Sequence, residues 1–145
     1  MKSVERKMQP AGKGEATPVP GGNPESYYAK APSWRFSKAD FDGEWSPRAI
    51  LREEAVFNRL VSFERQTWGG IVTDKKNNHF IAPNQMIKAA RKRIEELRYM
   101  EYADSLFSVR VGGRERLWGI LADGIFYVVW YDQNHEICPS NLKHT

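Results

Sequence analysis

The sequence predicts an α+β domain with the element order β-α-α-β-β-β, in which a C-terminal three-stranded antiparallel meander packs on two helices. Three observations lead there. Gly112-Gly113 and Asp123-Gly124 cut residues 106–132 into three runs rich in Val, Ile, Phe, Tyr and Trp, the composition of strands joined by tight turns. Two upstream stretches carry apolar residues at helical spacing. The first 32 residues hold Pro10, Pro18, Pro20, Pro24 and Pro32 among several glycines and few large apolar side chains. Such a segment cannot bury enough surface to offset the entropy of ordering it, so a disordered arm is expected over residues 1–32. A single domain is expected over residues 33–145, a length sufficient for a real core.

Each element has its own signal. Trp34 and Phe36 alternate with Ser33, Arg35 and Ser37, the pattern of a short strand. Ser46 is an N-cap type and Pro47 fits the first helical position, so a helix is expected to start there. Ile50, Phe57, Leu60, Val61 and Trp68 would form its inward face, and Gly69-Gly70 its end. Ile71-Val72 and Phe80-Ile81 are candidate short extended pieces around a polar turn at residues 74–78. The second helix follows Pro83-Asn84, with Ile87, Ala90, Ile94 and Leu97 as its apolar stripe. Its other side carries Lys88, Arg91, Lys92, Arg93 and Arg98, which is either a solvated face or a surface turned toward phosphates.

Composition narrows the function classes. The chain has 145 residues, a formal charge of +4 and an isoelectric point near 9.2, which fits a nucleic-acid partner without demanding one. No apolar run reaches the roughly 20 residues of a membrane span, so no membrane partner and a cytoplasmic location are expected. There is one cysteine, Cys138, which excludes an intrachain disulfide. His79, His135, Cys138 and His144 match no established ligand spacing, so neither a metal nor another cofactor is expected. The sequence contains no dinucleotide or phosphate-binding glycine loop and no nucleophile elbow.

If both hairpin loops hold two residues, Val109 faces Arg116, Phe107 faces Trp118 and Arg116 faces Tyr131. Arg114, Arg116 and Tyr131 then gather at one rim of the sheet, with His135 and Glu136 just beyond the last strand. A guanidinium, an imidazole and a carboxylate are the parts needed for metal-free phosphodiester cleavage. Arg116 would stabilise charge on the transition state, and His135 or Glu136 would move protons. An Arg facing a Tyr is equally a stacked structural pair.

The element order, together with "SLFSVRVGGRERLWGILADGIFYVVWYD", resembles the RelE/ParE toxin superfamily over about residues 34–136. Many members are small bacterial proteins that cleave RNA on the ribosome and are held by an antitoxin. The resemblance implies a toxin-type endoribonuclease in which Arg116 matches the family's middle-strand Arg and His135 falls approximately where some members place a catalytic His or Tyr; with Tyr131 and Glu136 of the rim these are the expected catalytic residues. Lys88, Arg91, Lys92 and Arg114 would bind nucleic acid, and the ribosome, an antitoxin or another protein would be the partner. The sequence departs from the family at its end, where "DQNHEICPSNLKHT" replaces a basic, aromatic tail. Asp132 and Glu136 place negative charge where phosphates would have to come. The alternative expectation is therefore a non-catalytic module of the same fold that binds a protein or a nucleic acid.

Overall fold

A computed structural model describes residues 27–139. The arm expected over residues 1–32 lies outside the described residues up to Ser26, as do Ser140, His144 and the rest of the tail. Tyr27 is already buried in the core, so the folded unit includes residues upstream of Ser33.

The architecture is mixed α+β. Among the described residues five strands form one sheet: β1 (Ser33–Arg35), β2 (His79–Phe80), β3 (Leu106–Arg110), β4 (Arg116–Ala122) and β5 (Ile125–Asp132). Their order across the sheet is β1-β5-β4-β3-β2. The expected meander is present as β3-β4-β5, all antiparallel, and β1 adds to it in parallel beside β5. Among the described residues the three α-helices are α1 (Glu54–Phe63), α2 (Trp68–Thr73) and α3 (Lys88–Glu96).

The expected long first helix is broken into three pieces. Ser46 caps a 3-10 helix, Pro47–Arg52, with its hydroxyl accepting from the Arg48 amide. Glu53 leaves helical geometry at φ −125°, and α1 starts after it. Thr67 caps α2 through the Gly70 amide, so Gly69 and Gly70 lie inside a helix instead of ending one. A Cβ at Gly69 would sit 3.0 Å from the Tyr28 carbonyl oxygen, a tight contact that favours glycine there. Ile71 and Val72, expected to be extended, are buried on α2.

Helices cover both faces of the sheet. On one face α1 and α2 place Val56, Leu60, Phe63, Trp68 and Ile71 against Phe107, Val109, Leu117, Leu121, Phe126 and Val128. On the other, α3 and its flanking turns place Met86, Ala90, Ile94 and Tyr102 against Leu106, Trp118, Ile120, Tyr127, Val129 and Trp130. The apolar residues of both faces are thereby removed from water, the dominant stabilising term in folding.

The registers differ from those expected. The first hairpin loop holds three residues, 112–114, because the Val111 amide donates to the Glu115 carbonyl at 3.0 Å. Val109 therefore pairs with Leu117 and Arg110 with Arg116. A one-residue slip moves every side chain of a strand to the other face. Phe107 and Val109 consequently lie under α1 and α2, not beside Trp118 and Ile120. The second hairpin has the expected two-residue Asp123-Gly124 loop, with both residues at positive φ. A bulge then inserts Val129 between the pairs Gly119–Val128 and Trp118–Trp130. Past the bulge Leu117 pairs with Tyr131, and Arg116 pairs with Asp132.

Candidate nucleic-acid interface

Arg116 begins β4 and is directly paired on both sides, with Arg110 of β3 and Asp132 of β5. Directly paired residues share a face, so these three form one row across the end of the sheet. Two guanidinium groups side by side repel, and the hairpin's carbonyls hold them there. Arg110 donates from Nε to the Gly112 oxygen at 2.9 Å, from Nη2 to the Gly113 oxygen at 3.0 Å and from Nη1 to Asn77 Oδ1 at 3.0 Å. Arg116 Nη1 donates to the Glu115 oxygen at 3.2 Å and to the same Gly113 oxygen at 3.3 Å. Among the described residues, Arg116 Nε and Nη2 donate to nothing. Burial and the neighbouring Arg110 charge lower the Arg116 pKa, against the opposing pull of Asp132 and Glu115. An anion placed at this row would relieve that repulsion. Arg114 is exposed at the tip of the same hairpin.

Tyr131 does not share a surface with Arg116, the residue it was expected to face. Tyr131 pairs with Leu117, not Arg116, and lies on the opposite face, buried under α1. Its hydroxyl has no partner among the described residues. Burial pushes its pKa up to about 12, helped by Glu115 and Glu53. The bulge at Val129 is the reason, since the extra residue turns Tyr131 away and brings Asp132 to Arg116. Glu136 extends its carboxylate to Trp45, whose indole N–H donates to it at 2.8 Å. His135 is half-buried, with a left-handed backbone at φ 56°.

Asp132 is fully buried, and its carboxylate organises the turn that follows. Oδ1 accepts from the Glu136 amide at 3.0 Å and Oδ2 from the Ile137 amide at 2.9 Å. The acidity that argued against a phosphate partner stays at the rim as two hydrogen-bonded carboxylates, one buried beside Arg116 and one, Glu136, on an exposed residue. Asp132 does not face solvent, and Glu136 is drawn to Trp45.

The basic side of α3 reaches this rim through a chain of hydrogen bonds. The Ile87 amide, just before the helix, donates to the Ile137 carbonyl at 2.9 Å, and the Ile137 amide in turn binds Asp132. Lys88, Arg91 and Lys92 lie at helical spacings of three and four, on one side of the first turns. Lys88 and Lys92 are exposed, while Arg91 is half-buried and donates to the Met86 carbonyl at 3.0 Å. Arg93 belongs elsewhere, in an ion pair with Asp40.

Arg110 was missed as a site residue because the expected register placed it opposite Glu115. The glycines of the loop carried the only signal, since a glycine pair fits a three-residue loop as well as a two-residue one. No group of three His, Cys, Asp or Glu side chains that could hold a metal is found among the described residues. None of the described helices is long and apolar enough to cross a membrane. No family model, curated protein or solved structure matches the chain.

Proposed function

We propose that the chain is a non-catalytic module that binds the phosphate backbone of RNA at the sheet rim. Arg110 and Arg116 would grip one phosphate, and Arg114, Lys88, Arg91 and Lys92 would neutralise its neighbours. The carrying observation is the pairing of Arg110 with Arg116, two guanidiniums fastened to one Gly113 carbonyl oxygen. Like charges directly opposite on a sheet are destabilising, and a phosphate would turn that cost into binding energy. Cleavage, which the RelE/ParE resemblance implies, finds less support, because Tyr131 is buried on the far face from Arg116.

The test is fluorescence anisotropy with a labelled single-stranded RNA, titrated at several salt concentrations. Affinity should fall as salt rises, with a logarithmic slope of roughly 0.7 per phosphate neutralised. Arg110→Gln with Arg116→Gln should weaken binding at least tenfold and flatten the slope, and the RNA should remain intact. Equal binding by the double variant would overturn the proposal. Cleavage of the RNA that is lost in His135→Ala would replace it with the nuclease reading.

A further inference from the structure

The row across the end of the sheet is charged unequally. Asp132 closes it on the β5 side, and Arg116 and Arg110 follow toward β3. Beyond Arg110 lies the turn at residues 74–78, which leads into β2. His79 pairs with Ser108, and the same antiparallel register, continued backward, sets Asn77 against Arg110. Two asparagines of this turn hold that arginine. Asn77 Oδ1 accepts from Arg110 Nη1 at 3.0 Å, and Asn78 Oδ1 accepts from the Arg110 amide at 3.0 Å. Asn78 is buried and anchored, its Nδ2 donating to the Ile71 carbonyl at 3.0 Å. Asn77 is half-buried, and its Nδ2 donates to Asp74 Oδ2 at 3.1 Å. A guanidinium only donates and a carboxylate only accepts, so the Asn77 amide has one orientation that satisfies both. It stands between the Asp74 charge and Arg110, and a carboxylate in its place would pair with the arginine directly.

We propose that this turn is a second flank of the rim's binding surface. Asn77 is a positioning residue for Arg110, and Lys75 and Lys76 carry the path of an RNA backbone from the two arginines past the β2 edge of the sheet. This role rests on the rim being a phosphate site and adds to it residues on the side away from Asp132. Lys75 and Lys76 are both exposed, and they directly precede Asn77 in the chain. Among the described residues neither lysine is held in an ion pair. The one acid of the turn, Asp74, is outnumbered by them, and its carboxylate is already engaged by Asn77. A phosphate chain leaving Arg110 on this side therefore meets cations, whereas on the β5 side it meets Asp132 and Glu136. Holding Arg110 by an amide keeps its charge available to the ligand, which an ion pair would not.

Fluorescence anisotropy of the full chain with the same labelled single-stranded RNA tests it, with melting temperatures to confirm that each variant folds. Lys75→Gln with Lys76→Gln should weaken binding and make the salt dependence shallower, by roughly 0.7 in logarithmic slope for each phosphate released. Asn77→Ala removes a hydrogen bond but no charge, so it should weaken binding about threefold and keep the wild-type slope. Asn77→Asp should bind more weakly still and lower the slope, because the new carboxylate occupies Arg110. If the lysine double variant keeps wild-type affinity and slope while Arg110→Gln with Arg116→Gln weakens binding, the turn is no part of the surface, and the rim stands without it. Equal affinity and slope for Asn77→Ala and Asn77→Asp would confine Asn77 to shaping the turn and overturn its positioning role. If the arginine double variant itself binds like wild type, the rim is not a phosphate site, and the role of the turn falls with it.

Discussion

Arg93 of α3 grips Asp40 with both ends of its guanidinium, Nε to Oδ2 at 2.8 Å and Nη2 to Oδ1 at 2.7 Å. Trp130 of β5 donates its indole N–H to the same Oδ2 at 2.9 Å. The Asp40 amide donates to the Val129 carbonyl at the bulge, at 3.0 Å. One residue thus ties a helix, strand β5 and the bulge together, the first two through its carboxylate and the bulge through its amide. Burial acts to raise the Asp40 pKa, but the bonds from Arg93 and Trp130, the Arg93 charge and the Gly43 amide outweigh it and hold the pKa below the ordinary carboxylate value.

A depressed carboxylate stabilises the fold above its unfolded pKa, near 3.9, and that contribution is lost as pH falls through the lower folded value. Melting temperatures of wild type and Asp40→Asn should therefore differ most at neutral pH and converge below about pH 4. At pH 7 the variant should lose roughly 2 kcal/mol. That is less than for a fully buried pair, because the Arg93 side chain keeps 29% of its surface in water. Parallel melting curves from pH 7 to pH 2 would show that Asp40 does not titrate with the fold.

Tyr131 is the opposite case, a buried polar atom without a partner among the described residues. Removing such a group relieves a desolvation penalty instead of breaking a bond. Tyr131→Phe should raise stability by about 1 kcal/mol in urea unfolding and leave RNA affinity unchanged. A loss of stability, or of RNA binding, would give the hydroxyl a role that its present surroundings deny it.

Gly119 sits where the bulge brings the two strands together. A Cβ there would lie 2.3 Å from the Tyr127 carbonyl oxygen and 2.8 Å from the Phe126 ring. Neither can retreat, since one is sheet backbone and the other is a fully buried side chain. Gly119→Ala should cost about 3 kcal/mol, at the upper end for overpacking, measurable as a lower urea midpoint. A midpoint within error of wild type would mean that the bulge can slide.

The meander was legible in the sequence because turn chemistry and strand composition agreed over residues 106–132. Its details were not, and two single-residue events account for that. Residue 114 joins the first loop, and Val129 bulges out of β5. Neither leaves a mark in the apolar pattern, yet the first sets Arg110 in place of Val109 beside Arg116, and the second exchanges Tyr131 for Asp132 there. The first helix misled in a different way. Ser46 and Pro47 marked its start correctly, and Ile50, Leu60 and Trp68 do pack inward, but Phe57 and Val61 are exposed, because the break at Glu53 resets which side of α1 faces the sheet. The basic side chains of α3 were visible, but not that Arg93 serves a carboxylate 53 positions away. A side chain's long-range partner is set by packing, which a single sequence does not display.

The strand β1 runs parallel to β5, with Trp34 beside Phe126, and the chain continues along the same edge until the Trp45 carbonyl accepts the Tyr131 amide at 2.9 Å. Parallel neighbours cannot be joined by a hairpin, and here nearly all of the other described elements intervene. During synthesis β1 leaves the ribosome long before its template exists, and it must wait, unpaired, for β5 to be made. At about 5–20 residues per second that delay is several seconds. The Trp34 side chain spends that interval without the Phe126 ring it packs against in the finished sheet. Conditions that slow translation between the two strands should therefore promote aggregation of the nascent chain, although the finished sheet leaves no trace of the hazard.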